Sequence, residues 1–187
     1  MDALFALHNR VSVNLLTEPA PTQKQLDNII RAGLRACDHK NLRPWKFLII
    51  EGDDREKFGE LMVNAKEIQN ELTECTEEEK TKLRSKPMRA PTIIVVIADI
   101  KTHDKVPEIE QIISAGASAQ MMMTAAFSQG LGAIWRSGSL MFENRMHEGL
   151  GLTPQQKIVG FIYVGHIKAS KRVPELNPAD FASKWSG

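Results

Sequence analysis

The run Pro91-Thr92-Ile93-Ile94-Val95-Val96-Ile97-Ala98 carries no charge and is mostly β-branched. β-Branched side chains are stiff at χ1 and suit the pleated strand better than the helix. A strand that is apolar at every position has no solvent face, so helices must cover both sides of its sheet. A second run tightens the constraint. From Ile112 to Phe127 (IISAGASAQMMMTAAF) charge is absent from every face, and a helix apolar all round is buried all round. In a chain of 187 residues, that burial needs the sheet on one side and a second subunit on the other. Small residues Ser114, Gly116 and Ser118 allow close helix approach, and Met121-Met122-Met123 reads as adaptable core.

The remaining elements follow in order. Asp2 to about Arg10 reads as a short helix that delivers Asn9-Arg10-Val11-Ser12. Glu18-Pro19-Ala20-Pro21 is a stiff connector. Thr22 caps a helix with Leu26, Ile29, Ile30, Gly33 and Leu34 at helical spacing, carrying Arg35 before it breaks. A strand covers Trp45 to Glu51. A charged helical region then runs from Gly52-Asp53 to about Leu72, with Phe58, Leu61, Met62 and Ile68 as its buried side. Thr76-Glu77-Glu78-Glu79 starts another helix, its acids placed well for the dipole. The excursion at about 53–90 reads either as a lid or as plain packing on the sheet. A short strand at Ala133-Ile134-Trp135, a helix at Phe142–Leu150 and a strand at Lys157–His166 complete the regular structure. The tail, 167–187, is polar and contains Lys168, Lys171 and Arg172; Phe181 and Trp185 are expected to dock it. The pattern is a single α+β domain over 1–187, with one mixed sheet of four or five strands flanked by helices.

Composition removes several function classes. A formal net charge of +1 with 25% charged residues gives no electrostatic case for nucleic acid or an anionic membrane. Cys37 and Cys75 fit no disulfide framework, and no basic leader opens the chain, so the expectation is a cytoplasmic protein. There is no GxGxxG after a strand and no Walker loop. His8, His39, His103, His147 and His166 lack metal-ligand spacing. Ser137 sits in no nucleophile elbow, and Cys37 lies beside Asp38, which opposes thiolate formation.

Cations and hydrogen-bonding groups at element ends remain: Arg10/Ser12, Arg35/His39, Arg136/Ser137, and Lys168/Lys171/Arg172. The stretch from Arg31 to Phe47 concentrates the pattern, with a helix exit, a polar loop and a strand start at Pro44-Trp45. Arginine matches phosphate with a planar fork of donors. Each group also has a bland reading, as a helix-end charge, an exposed i,i+4 pair or a solvated run, and spacing alone does not choose.

Ordered motifs do choose. Asn9-Arg10-x-Ser12, Glu18-Pro19-Ala20-Pro21, Arg31-Ala32-Gly33, Asp38-His39-Lys40 before Pro44-Trp45, Gln129-Gly130-x-Gly132, Ile134-Trp135-Arg136-Ser137-Gly138, and Lys157-Ile158-Val159-Gly160-Phe161 with Tyr163-x-Gly165 together resemble the nitroreductase family of FMN flavoproteins. The similarity is to its short, compact NAD(P)H nitroreductase branch and runs from Met1 to about Gly165. The resemblance implies a nitroreductase-like fold and an intertwined homodimer with FMN at the subunit interface. It implies that Arg10, Val11 and Ser12, with Trp135, Arg136 and Ser137, contact FMN from one chain, while Arg35 and His39 reach it from the other. It implies NADH or NADPH as donor and a small-molecule acceptor, a nitroaromatic or quinone, in a ping-pong reaction, with no nucleic acid and no membrane as partner. The flavin carries the chemistry, so no catalytic side chain and no metal is expected.

Departures are specific. Relatives usually carry a second Arg where Val11 stands and a further cation in the stretch Val13-Asn14-Leu15-Leu16, and Cys37 replaces a common Pro. Lost charged hydrogen bonds cost about 1–3 kcal/mol each, which Lys168, Lys171 or Arg172 could restore. Two other readings share the residues: a flavin-binding or structural member with a partly degenerate site, and a family enzyme with another flavin reaction.

Overall fold

The computed structural model describes residues 2–69 and 75–187. The β-branched run forms the strand β3 (Thr92–Asp99), buried at every position. It lies between two antiparallel partners. One is β2 (Trp45–Glu51), registered from Trp45↔Ala98 to Glu51↔Thr92. The other is β5 (Gln156–Ile167), registered from Thr92↔Val164 to Asp99↔Gln156 with a shift between Val96 and Ile97. β4 (Gly132–Arg136) and the short β1 (Leu16–Thr17) also pair with β5, both antiparallel. The order is β1-β5-β3-β2 with β4 attached to β5. Every ladder is therefore antiparallel, and the parallel pairing expected of a mixed sheet is confined to one bridge, Ser12 to Ala133. Two-sided burial demands helices on both faces but leaves strand direction open.

Alternation along the strands splits the core in two. Ile93, Val95 and Ile97 pack with Phe58, Met62, Phe161 and Tyr163 on one face; Ile94 and Val96 pack with Ile29, Ala119, Met122 and Ile162 on the other. The first face is covered by α3 (Asp54–Gln69), α4 (Glu77–Ser85) and α6 (Asn144–Gly149). α2 (Gln23–Gly33) and α5 (Glu108–Ser128) cover the second, and α1 (Ala3–Asn9) touches α5. Both expected helix starts carry capping boxes, Thr22 with Gln25 on α2 and Thr76 with Glu79 on α4. At Gly33 an added Cβ would lie 2.8 Å from both Met122 Cγ and Ser118 Oγ, so glycine sets the approach of α2 to α5.

Several boundaries differ from expectation. α2 ends at Gly33, because Arg35 and Ala36 turn their N–H groups back to Ala32 and Gly33, the tighter three-residue spacing of a terminating turn. Arg35 is therefore an exposed turn residue. The expected helix at 142–150 is a 3₁₀ turn, Ser139–Phe142, followed by α6. In α3, Phe58 and Met62 are buried and Leu61 is half-buried against Gly149, whereas the side chain of Ile68 and the continuation to Leu72 fall outside the described residues.

Two stretches stay uncovered within one chain. Ile109 and Ile113 of α5 are 59% and 60% exposed, so all-round burial of this helix is not reached: the sheet and α2 reach only part of its surface. Nor do the two expected anchors dock the tail's end on its own chain, with Phe181 75% and Trp185 93% exposed. Its pairing ends where the N–H of Lys168 donates to the carbonyl of Leu15 at 3.0 Å, and Pro174 and Pro178 favour no further strand. Among the described residues no helix is long and apolar enough to cross a membrane.

Candidate functional site

β4 supplies the centre of the site. Residues opposed across an antiparallel pair share a face. Arg136 opposes Phe161 and Ile134 opposes Tyr163, so Arg136 rises on the α3/α4 side; Trp135 opposes Ile162 and goes to the α5 side. There the indole lies on Gly160, where an added Cβ would sit 2.0 Å from Nε1. The Trp135 ring is thus held as packing, against a glycine that leaves room for it.

On the Arg136 side a cavity of about 510 Å³ opens, bordered by Trp135, Arg136 and Ser137, with Met62, Phe161 and Tyr163 behind them. Lys86 and Arg89 enter from the far wall. Lys86 precedes and Arg89 ends the 3₁₀ turn Pro87–Arg89 that follows α4. Burial holds the Lys86 ammonium below its usual value, and the positive charges of Arg89, Lys82, Lys66 and Arg136 push the same way. Burial pushes the Tyr163 phenol up to about 12, against the opposing pull of Arg136 and Arg89. The Arg136 guanidinium carbon stands 5.5 Å from the Tyr163 ring centre, within cation–π range. Its Nε is buried without a hydrogen-bond partner among the described residues. A cleft beside this cavity is lined by Arg89 and Arg136 together with Asn14, Leu15 and Lys168. Lys168 thereby reaches the stretch where a further cation was missing.

Arg10 and Val11 lie at the other end of β4. They line a smaller cavity of about 220 Å³ with Gly132, Phe127 and the tail residue Lys171. Arg10 closes α1 by donating its N–H to Ala6, and its Nη1 is buried without a partner among the described residues. Ser12 connects the two regions: it bridges Ala133, and the next N–H, of Val13, donates to the Ala133 carbonyl at 3.0 Å. The span from Gly132 to Arg136 is about 13 Å at the rise of an extended strand.

Arg35 and His39 occupy a third place. His39 opens the 3₁₀ turn His39–Asn41 and its Nδ1 is 2.8 Å from Glu110 Oε2 in the first turn of α5. The loop is held by Asp38, whose carboxylate accepts from the N–H groups of Leu42 at 3.1 Å and Arg43 at 2.7 Å. That support matters because Lys40, Asn41 and Arg43 sit at φ of 62°, 54° and 49°, a left-handed region costly for side chains of this kind.

One chain therefore brings Trp135, Arg136 and Ser137 to one cavity, sets Arg10, Val11 and Ser12 along the same strand, and leaves Arg35 and His39 elsewhere. Of the tail cations, Lys168 and Lys171 reach these cavities, while Arg172 pairs with Glu175 in solvent. Sequence reasoning missed Lys86, Arg89 and Tyr163 as cavity residues. The available signal was Lys86-Pro87-Met88-Arg89, since Pro starts a turn and residues three apart eclipse in a 3₁₀ helix. The cations that line these cavities, and so are placed to meet an anionic, phosphorylated cofactor, are Arg10, Lys86, Arg89, Arg136, Lys168 and Lys171. Among the described residues no group of three or more His, Cys, Asp or Glu is placed to hold a metal ion.

Comparison with known proteins bears on family and fold. The model of the "Nitroreductase family" matches residues 7–166. YdjA of Escherichia coli (strain K12), which bears the name "Putative NAD(P)H nitroreductase", is 44% identical over 98% of this chain and 99% of its own. The crystal structure of a nitroreductase-like family protein from Bacillus cereus superposes with a TM-score of 0.83 at 26% identity, covering 100% of this chain and 97% of the other. The FMN and NADPH-dependent nitroreductase NfnB from Sphigopyxis sp. strain HMH superposes with a TM-score of 0.76 over 100% of both chains; at 17% identity this speaks for the fold alone. With the family match spanning most of its length and a relative of this similarity, the chain belongs to the nitroreductase family.

Proposed function

We propose that this protein is an FMN-dependent oxidoreductase that uses NADH or NADPH to reduce small nitroaromatic or quinone acceptors. The observation that carries the reading is the pair of buried, unpartnered guanidinium atoms, Arg10 Nη1 and Arg136 Nε, near opposite ends of one strand. Buried donors without partners are rare in folded proteins because each costs free energy. Two of them beside cavities, with Lys168 and Lys171 close by, fit an anionic group that must be bound for the site to be satisfied.

In this reading Arg10, Lys171 and Lys168 hold the FMN phosphate through charge-assisted hydrogen bonds. Val11 and Ser12 shape the strand edge. Trp135 fixes the turn by packing on Gly160, so that Arg136 and the exposed Ser137 address the isoalloxazine; Ser137 and Gly138 offer backbone N–H groups to its reactive nitrogen. FMN when bound supplies the hydride and electron transfer. The net reaction with a nitroarene balances as one NAD(P)H and one proton consumed, with oxidised nucleotide, nitrosoarene and water formed. Donor and acceptor use the site in turn, which makes the kinetics ping-pong.

The working unit is a homodimer of a single-domain chain. Exposed Ile109 and Ile113 on α5, with Leu4, Phe5 and Leu7 on α1 and Phe181 and Trp185 on the tail, supply apolar surface for a second copy. Arg35 and His39, remote from Arg136 within one chain, then complete the partner's site. Cys37 and Cys75 form no disulfide, which suits the cytoplasm. A degenerate, non-catalytic member is the second reading, motivated by Val11 and Leu15; the placement of Lys168 beside Leu15 weighs against it.

Steady-state oxidation of NADH and NADPH with para-nitrobenzoate and with a benzoquinone tests the function. Acceptor-dependent oxidation with parallel double-reciprocal lines is the expected result. Oxidation no faster than without protein would contradict it.

A further inference from the structure

The cavity in front of Arg136 is chemically asymmetric. Its floor is apolar, with Met62, Met141 and Phe161, and its rim carries Lys86, Arg89 and Arg136. Among the described residues no Asp or Glu lines it. Carboxylates are not scarce in the chain, which has 23 against 24 Lys and Arg. The neighbouring cations have found theirs: Arg84 pairs with Glu60, Lys80 with Glu67 and Arg55 with Glu18. Among the described residues none of the three rim cations is in an ion pair.

The rim is also built rather than loose. Pro87 is buried at the first position of its 3₁₀ turn, and the eclipsed i,i+3 geometry sets Lys86 and Arg89 on one side of it. Buried Ala90 closes the turn, its carbonyl accepting from Arg55 Nη1 at 3.1 Å. Arg136 is held from the opposite wall by the Tyr163 ring. Three like charges converging on a half-enclosed, partly apolar space concentrate positive potential there. Burial first, and then these neighbouring charges, hold the Lys86 ammonium below its usual value, and a bound anion would oppose that shift.

We propose that this cavity is the acceptor site and that it selects planar aromatic acceptors bearing an anionic substituent, a carboxylate or its equivalent, held by Lys86, Arg89 and Arg136. The proposal rests on the oxidoreductase reading, because the cavity shares Arg136 and Ser137 with the segment assigned to FMN. The apolar floor takes the ring and the rim takes the charge. Selectivity therefore comes from the excursion between β2 and β3, which contributes Met62, Lys86 and Arg89 to the wall. The same cations could instead serve the flavin's own phosphate, and the test separates these sources.

The probes are para-nitrobenzoate and the neutral para-nitrobenzyl alcohol, titrated calorimetrically into FMN-loaded protein and compared as substrates. The wild type should bind the benzoate more tightly than the alcohol, and raising the salt concentration should weaken only the benzoate. Arg89→Met and Lys86→Met should each weaken benzoate binding by about tenfold or more, the size of one charged hydrogen bond. The benzoate-to-alcohol ratio of kcat/KM should fall with it, while FMN is retained after desalting. Equal affinity for the two probes in the wild type, or benzoate binding insensitive to salt, would overturn the proposal without any variant. Loss of FMN from the variants would overturn it too, by giving these cations to the flavin phosphate. Variant-dependent benzoate binding without turnover of any acceptor would leave the site standing and refute the oxidoreductase reading instead.

Discussion

Tyr163 shows how a single residue ties core to site. Its ring is fully buried beneath Arg136, and burial raises its phenol to about 12. A group whose folded value lies above its unfolded value of about 10 stabilises the fold fully below that pH. The contribution is then lost as the pH climbs through the window from about 10 to about 12. Wild type should lose roughly 2–3 kcal/mol across that window beyond what Tyr163→Phe loses. Urea unfolding of both proteins at neutral pH and near the top of the window measures the difference; equal losses would show that the phenol ionises as freely folded as unfolded. Residues of this kind were only partly legible in the sequence. Arg10, Arg136 and Ser137 could be named because they stand in recognisable motifs. Lys86 and Arg89 could not, because their meaning depends on a 3₁₀ turn meeting β4 across the sheet, and no local pattern encodes that meeting. Trp135 was legible as a position; that its ring lies on Gly160 follows from alternation along β4.

At the scale of elements, the strands and helix starts were the most readable. β3 follows from its β-branched run, and both capping boxes follow from Thr-x-x-Gln and Thr-x-x-Glu. Helix ends were less so: α2 stops before Arg35 because its last N–H groups switch to shorter-range partners, a choice that nothing in Arg31-Ala32-Gly33-Leu34 dictates. β1 was missed because two residues carry no period. The loop from Asp38 to Arg43 is the element whose strain is most visible, with three side-chain-bearing residues at positive φ under one carboxylate. Asp38→Ala should destabilise the protein by about 1–3 kcal/mol, the cost of leaving two N–H groups of the turn without their charged acceptor. A midpoint of urea unfolding equal to that of the wild type would show that the loop holds its geometry without Asp38.

At the scale of the molecule, the uncharged run of α5 set the strongest expectation and remains half met by one chain. A helix without charge from Ile112 to Phe127 would be an odd surface for a monomer, and Ile113 within that run and Ile109 one turn before it are left in solvent. The separation of Arg35 and His39 from Arg136 points the same way, since a single chain does not bring these two to the other proposed flavin contacts. Both features become consistent if the second copy covers α5 and supplies the loop. The relation between dimer and flavin is the central claim, and one measurement addresses both parts. Sedimentation velocity of FMN-loaded, desalted protein, read in the protein and flavin absorbance bands, should show the wild type as a dimer carrying flavin. Ile113→Glu, which places a charge in the proposed interface but touches none of the proposed flavin contacts, should sediment as a monomer without flavin. A monomeric variant that keeps its flavin would contradict the shared site, and a wild type that sediments as a colourless monomer would contradict the whole account.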